Sequence, residues 1–198
     1  MEELKNILKN DNYNIDIDGR ICHHRIKILY ALSKYFNLKK YLEIGVHNGS
    51  SMSYVLQSES IEKCIGIDPF ENLETNDSSM THYQNIDKIN ISKSSNNINN
   101  NNKYNSEIIL LQDYSNNINE NELDNDIDLL FIDGDHNYDA VLNDYNKFFN
   151  NVKTGGFIVF DDLHQKGPKK VFNEIINNDT NIELFGIYEE TEGILIKK

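Results

Sequence analysis

Short apolar runs alternate with polar, asparagine-rich stretches along the chain. Five of these runs are continuous, and each ends at or beside a glycine or an acidic residue. Continuous apolar runs of this length are typical of strands buried on both faces, as in a parallel sheet. The predicted strands are Lys40–Gly45, Lys63–Ile67, Glu107–Leu111, Ile127–Ile132 and Phe157–Phe160.

Segments with the 3.6-residue period of a helix separate these strands. The last two apolar runs, Ile182–Tyr188 and Gly193–Lys197, are close enough to form an antiparallel hairpin. We predict a loop at residues 11–20 and a turn at Gly155-Gly156, before the fifth strand. The predicted helices are residues 2–9, His23–Phe36, Ser50–Ser58, Thr81–Ile91, Tyr138–Phe149 and Pro168–Asn177.

The order of these elements predicts the fold class. Strands that alternate with helices place helices on both faces of a mostly parallel sheet, because crossovers between parallel strands are right-handed. We therefore predict an α/β fold with a Rossmann-like, doubly wound, seven-stranded, mostly parallel sheet and a C-terminal antiparallel β-hairpin. The 198 residues are enough for one domain with its own core.

The stretch from Asn90 to Asn105 departs from this pattern. It contains eight asparagines in 16 residues and shows no apolar repeat. Such a tract is typical of segments that do not pack. We interpret it as a surface insertion without a packed element.

Charge and composition exclude some partners. The chain has 19 basic and 32 acidic residues, a net charge of −13. This charge argues against a nucleic-acid partner and against an anionic membrane surface. The N-terminus is too charged for a signal peptide, and no apolar run approaches the roughly 20 residues of a membrane span. Cys22 and Cys64 have no metal-site spacing, so we expect reduced thiols in a cytoplasmic protein.

Acidic residues follow the fourth and fifth predicted strands. Asp133 and Asp135 follow the fourth strand, and Asp161 and Asp162 follow the fifth. The carboxyl ends of parallel strands meet at one edge of a sheet, where ligands bind. Carboxylates gathered there repel one another unless a cation holds them, so the pattern predicts a hard metal ion. By contrast, Asp139 and Asp144 are expected on the solvated face of the following helix.

A glycine turn follows the first strand. Gly45 and Gly49 permit a tight turn and a close approach to a ligand, and Asp68 stands 23 residues after Gly45. This outline resembles a dinucleotide site, which keeps a dinucleotide oxidoreductase open as an alternative. However, the spacing is G-x-x-x-G, and Glu43 would repel a diphosphate. A ligand with positive charge, such as an ammonium or sulfonium group, fits better.

Four motifs in this order resemble those of the class I S-adenosylmethionine-dependent methyltransferases: YLEIGVHNGSS, CIGIDPF, LLQDYS, and FIDGDHNYDAV with GGFIVFDD. The resemblance covers residues 38–198, and it makes residues 1–37 an N-terminal helical segment. It implies S-adenosylmethionine as cofactor, with Asp68 on the ribose and Asp113 on the adenine side. The cofactor-binding residues that it implies are Glu43, Gly45, Gly49, Ser50, Asp68, Asp113 and Asp133.

The IDGDH and VFDD motifs are similar to those of a narrower group, the metal-dependent O-methyltransferases, which include catechol-type and sugar-modifying enzymes. That resemblance implies Mg²⁺ or another divalent cation on Asp133, Asp161 and Asp162. The catechol branch usually has lysine at the position of His136. Because the unperturbed pKa of histidine, about 6.5, lies near the working pH, we expect His136 to be the catalytic base, with Asp135 as the alternative. The Asp-Gly-Asp-His wording is closer to the sugar-modifying branch.

The resemblance implies a small-molecule acceptor, namely a sugar, a glycoside or a nucleotide-sugar. A phenolic acceptor is an alternative, and so is a cofactor-binding module of the same fold without catalysis. Self-association into a homo-oligomer stays open, because nothing in the sequence decides it.

Overall fold

The computed structural model describes residues 1–11, 15–17, 20–21, 26–71 and 90–198. In chain order the elements are α1 (Glu2–Asn10), β1 (Asp16–Ile17), β2 (Arg20–Ile21), α2 (Lys27–Tyr35), β3 (Lys40–Ile44), α3 (Ser50–Val55), β4 (Lys63–Asp68), α4 (Ile91–Asn101), β5 (Glu107–Gln112), β6 (Ile127–Ile132), α5 (Tyr138–Phe148), β7 (Val152–Phe160), α6 (Lys166–Asn178), β8 (Ile182–Tyr188) and β9 (Glu192–Lys197).

Seven strands form one sheet in the order β5-β4-β3-β6-β7-β9-β8. The first five are parallel, and β9 lies antiparallel between β7 and β8. In this register Ile44 pairs with Ile67 on one side and with Ile132 on the other, and Ile132 pairs with Phe160. The predicted fold, including the C-terminal hairpin, is confirmed.

The sheet separates two apolar layers. Tyr41 and Phe131 face the layer that contains α1 to α4, whereas Leu42 and Leu130 face the layer that contains α5 and α6. Side chains alternate between the faces of a strand. Glu43, two residues after Tyr41, therefore belongs to the face of α1 to α4. None of the helices within the described ranges has the length and apolar content needed to cross a membrane.

The prediction for the asparagine tract is wrong, because most of it forms the helix α4. The Asn90 side chain accepts a hydrogen bond from the Lys93 N–H at 2.9 Å and caps the helix. Ser94 and Ile98 are buried. Together with the half-buried Ile91, they stand at helical spacing, so three inward positions are enough to pack a helix whose other residues are polar.

Two further predictions need correction. Gly155-Gly156 is not a turn before the strand but part of β7, where Gly155 has a φ of +78° and the pairing with β6 is irregular. The predicted loop at residues 11–20 contains β1, which pairs antiparallel with β2. The helix predicted at residues 81–91 lies outside the described residues except for Asn90 and Ile91, and so does Cys22.

Candidate active site

The tips of β3, β6 and β7 lie side by side at the carboxyl edge of the sheet. The ladder continues one residue beyond the paired strands. The Asp133 N–H donates to the Ile44 carbonyl at 2.9 Å, and the Asp161 N–H donates to the Ile132 carbonyl at 3.1 Å. The parallel order thus brings together tips that are distant in sequence, as predicted.

Gly45 lies where the glycine turn meets the tip of β6. Its φ is +91°, a left-handed value that disfavours side chains. A Cβ atom there would stand 2.0 Å from the Asp133 carbonyl oxygen. Glycine is therefore required both by the backbone angle and by the contact.

Glu43 is fully buried beneath this turn. The Ser51 hydroxyl donates a hydrogen bond to Oε1 of Glu43, and Oε2 is buried with no hydrogen-bond partner among the described residues. Burial raises the pKa of Glu43 well above its usual range, and the charge of Asp133 adds to this, while the Ser51 bond opposes it. Burial therefore favours the neutral acid, which weakens the expectation that Glu43 attracts a cationic ligand by charge.

Asp68 ends β4 and is half-buried. Its Oδ2 accepts from the His47 N–H at 2.8 Å, and its Oδ1 accepts from the Phe70 N–H at 2.5 Å. His47 adopts a left-handed φ of 51°. Asp68 therefore connects the glycine turn to the turn after β4.

Gly49 and Ser50 begin α3. Gly49 has a φ of +83°, and a Cβ atom there would lie 2.5 Å from Ile98 Cγ1 of α4. The Ser50 hydroxyl donates to Oδ1 of Asn48 at 2.6 Å. At the other end of the edge, Oδ1 of Asp113 accepts from the Tyr114 N–H at 2.7 Å. The residues predicted to bind the cofactor thus lie along the carboxyl edge of the sheet, at the ends of β3, β4 and β5.

Asp133, His136 and Asp162 form a group at the tips of β6 and β7. His136 Nε2 lies 3.2 Å from Asp162 Oδ2 and 4.0 Å from Asp133 Oδ1. One donor atom from each of the three residues lies within 4.8 Å of the others. Both carboxylates were predicted as metal ligands, and His136 was predicted as the base.

Burial and the neighbouring charges together shift the pKa values of Asp133 and His136 in this group. Burial, and then the charges of Asp161 and Asp162, raise the pKa of Asp133 well above its usual range, and His136 opposes this. For His136, burial lowers the pKa, but Asp133, Asp162 and Asp161 outweigh burial and raise the pKa overall. A divalent cation would relieve the repulsion between these carboxylates, and carboxylate oxygen is the donor that hard divalent cations prefer.

Asp161 and Asp135 occupy different positions around the group. Asp161 is buried, and its Oδ1 accepts from the N–H of Asp162, which has a left-handed φ of 54°. Asp135 is exposed, and its Oδ1 accepts from the Asn137 N–H at 2.8 Å where α5 begins. His164 lies near the other oxygen of the Asp162 carboxylate, with Nδ1 3.4 Å from Asp162 Oδ1.

Two buried acids near the site were missed from the sequence. Glu192 is fully buried at the start of β9, where Gly193 pairs with Phe160 at the end of β7. Asp144 was expected in solvent, but only 3% of its surface is exposed, and Oδ2 lies 3.5 Å from where a Cβ of Gly134 would stand. That expectation is wrong because Asp144 shares the buried face of α5 with Val141, Tyr145 and Phe148.

Comparison with known proteins agrees with this geometry. Residues 42–163 match the family described as a methyltransferase domain. An uncharacterized protein of Acanthamoeba polyphaga mimivirus is 37% identical over 152 residues, which are 73% of this chain, and this chain spans 61% of the length of that protein.

Solved structures share the fold at low sequence identity. The O-methyltransferase NovP is 13% identical and superposes with a TM-score of 0.69 over 91% of this chain and 84% of that chain. A Podospora anserina methyltransferase, PaMTH1, determined with S-adenosylhomocysteine (SAH) bound, is 12% identical with a TM-score of 0.64 over 100% and 88%. With the matched segment covering more than half of its length, the chain belongs to the methyltransferase-domain family.

Proposed function

We propose that this chain transfers a methyl group from S-adenosylmethionine to a hydroxyl oxygen of a small molecule, with the help of a divalent cation. The observation that carries the proposal is the group of Asp133, His136 and Asp162. This group lies beside the glycine turn, because Gly45 packs closely against the Asp133 backbone. The O-methyltransferase NovP and the SAH complex of PaMTH1, which share this fold, support it.

The edge formed by β3, β4 and β5 suits the cofactor. Asp68 accepts one backbone N–H on each oxygen, and a carboxylate oxygen has two lone pairs, so both oxygens retain a site for a ribose hydroxyl. Asp113 lies on the neighbouring strand, in position for the adenine. Gly45, Gly49 and Ser50 shape the glycine turn after β3, beside Asp68, and the buried Glu43 supports that turn.

The edge formed by β6 and β7 suits the cation. Asp133 and Asp162 present oxygen atoms on either side of His136, and Asp161 stands directly behind Asp162. We propose these three carboxylates as the ligands of Mg²⁺ or a similar ion, which prefers carboxylate oxygen. A bound divalent cation lowers the pKa of a coordinated hydroxyl and fixes its position.

His136 is the proposed base, and Asp135 is the alternative. A base must be neutral before it can take a proton, and the three carboxylates favour the protonated imidazole. A divalent cation bound to the same carboxylates would oppose this preference and bring the pKa of His136 back towards its ordinary value. Asp135 is exposed and engaged at the start of α5, so it is the weaker candidate.

The proposed acceptor is a sugar, a glycoside or a nucleotide-sugar with neighbouring hydroxyls. It rests on the resemblance of the Asp-Gly-Asp-His sequence to the sugar-modifying branch. A panel of glycosides and catechols, incubated with labelled S-adenosylmethionine, separates this acceptor class from a phenolic one.

Calorimetric titration with SAH, with and without Mg²⁺, tests the proposed reaction class. We expect binding in the micromolar range and no heat with NAD⁺. Binding of NAD⁺ without binding of SAH would reverse the assignment in favour of an oxidoreductase. Binding of SAH without any methyl transfer to the panel, in the presence of Mg²⁺ or Mn²⁺, would favour a binding module.

A further inference from the structure

We infer that the asparagine-rich helix α4 positions the glycine turn for the cofactor, through Ser94 and Asn97. This inference rests on the proposed function, because it assigns the turn to S-adenosylmethionine. Neither residue belongs to the motifs that led to the proposal, and both lie in a tract that the sequence predicted to be unpacked.

The turn needs to be held, because its backbone is strained. His47 has a φ of 51°, which is uncommon for a residue other than glycine. Gly45 and Gly49 on either side also have left-handed angles. A backbone of this kind persists only where the surroundings fix it.

Three contacts from α4 fix it. The Ser94 hydroxyl donates to the His47 carbonyl at 2.5 Å, and the Asn97 side-chain amide donates to the Asn48 carbonyl at 3.0 Å. Ile98 packs against Gly49 so closely that its Cγ1 lies 2.5 Å from the position of a Cβ. All three residues are on the inward face of α4.

The contacts continue to the cofactor carboxylate. Ser94 holds the carbonyl of His47, and the N–H of the same residue donates to Oδ2 of Asp68 at 2.8 Å. The peptide groups on both sides of His47 are thus fixed, one by α4 and one by Asp68. Loss of the first contact should loosen the turn, and with it the position of the His47 N–H that orients the Asp68 carboxylate.

Matched pairs of substitutions separate this role from general stability. Ser94→Ala removes the donor to the turn. Ser95→Ala makes the same change at the neighbouring position, where the hydroxyl accepts from the Asn99 side chain of the same helix. Asn97→Asp replaces the donor with an acceptor, and Asn96→Asp adds the same charge at an exposed position.

We expect Ser94→Ala and Asn97→Asp to weaken SAH binding about 5-fold to 10-fold, the effect of one net hydrogen bond, as measured by calorimetry. The control variants should bind like the wild type. In hydrogen exchange without ligand, the amides of His47 and Gly49 should exchange faster in Ser94→Ala and in Asn97→Asp than in the wild type. The exchange rates in β3 and β6 should be unchanged. Accelerated exchange throughout the sheet would indicate a merely structural role and would overturn the inference.

Wild-type binding of SAH together with equal affinities for all four variants would also overturn it. If the wild type does not bind SAH, the proposed function fails, and with it the cofactor part of the inference. The exchange rates of His47 and Gly49 then still decide whether α4 holds the turn.

Discussion

The two halves of the carboxyl edge treat their acidic residues in opposite ways. On the side of β3 and β4, the protein's own donors serve each carboxyl group: Ser51 on Glu43, and two backbone N–H groups on Asp68. On the side of β6 and β7, Asp133 and Asp162 face each other across His136. In the first half, backbone donors hold both oxygens of Asp68, and only Oε2 of Glu43 lacks a partner among the described residues. The second half concentrates negative charge that an external cation would balance.

This difference separates the two ligands that we propose. A site whose carboxylates are already oriented by N–H donors is organised in advance for hydroxyl groups. A site where neighbouring carboxylates help to raise the pKa of Asp133 is organised for positive charge. Changes in one half should therefore affect one ligand and spare the other.

The largest effect is expected where the halves touch. Gly45→Ala combines a left-handed φ with a Cβ 2.0 Å from the Asp133 carbonyl oxygen, so it should lower the free energy of unfolding by about 4 kcal/mol. Gly155→Ala shares the positive φ but meets no atom within 4 Å, and should cost only about 1 kcal/mol. Urea unfolding measures both. Equal losses would mean that the contact between the halves does not matter.

The second effect concerns the cation. Asp162→Asn removes the charge that lies nearest to His136, and should weaken Mn²⁺ or Mg²⁺ binding by at least about 100-fold while SAH still binds. Asp161→Ala should likewise abolish metal-dependent turnover. Asp139→Asn, on the exposed face of α5, is the control. Full methyl transfer by Asp162→Asn in excess chelator would refute the metal mechanism.

Asp68→Asn tests the other half. It keeps the shape of the side chain but removes the charge that accepts the ribose hydroxyls, so SAH binding should weaken by about 2–3 kcal/mol. Metal affinity should stay within about twofold, because the Asp133 group is built from other strands. Calorimetry with each ligand in turn measures the selectivity, and a parallel loss of both ligands would contradict the division.

The smallest effect concerns Asp144 and pH. Burial raises the pKa of Asp144 to about 6, Asp135 adds to this, and Ser115, Asn143 and Lys147 oppose it. The unfolded value is about 3.9, so ionisation opposes folding: stability is lost as pH rises through about 6 and is regained below about 4. Asp144→Asn should therefore stabilise the protein by roughly 2 kcal/mol near pH 8 and hardly at all near pH 4.

Urea unfolding of Asp144→Asn at several pH values measures this difference, with Asp139→Asn as the exposed control. A gain in stability that is the same at low and high pH would mean that ionisation of the buried Asp144 does not destabilise the native protein.

Much of the site could be predicted because a parallel sheet links sequence to position. Continuous apolar runs located the strands, and the residues after Ile132 and Phe160 then had to meet at one edge. That rule gathered the acidic residues after the two strands, and the resemblance to the metal-dependent O-methyltransferases then selected Asp133, Asp161 and Asp162 as predicted ligands. Gly45 was recognised as a tight turn, although its contact with Asp133 depends on the spacing between β3 and β6.

The residues that were missed depend on packing that periodicity does not reveal. Glu192 neighbours the β7 tip only because of the antiparallel register of β7 and β9. Asp144 lies on the buried face of α5 with Val141 and Phe148, although its charge favours a solvated position. The helix α4 did leave a signal, since Asn90 suits an N-cap and Ile91, Ser94 and Ile98 follow a helical spacing. The abundance of asparagine concealed that signal.

The composition of α4 has a consequence for how this gene tolerates change. Most outward positions are asparagine or serine, and exchanging one for another alters little. The length of the tract is a different matter, because each residue advances a helix by about 100°. A single codon gained or lost between Ser94 and Ile98, the usual error of replication in a repetitive tract, would turn Ile98 away from Gly49. Selection on this segment should therefore act on the number of its codons far more than on their identity.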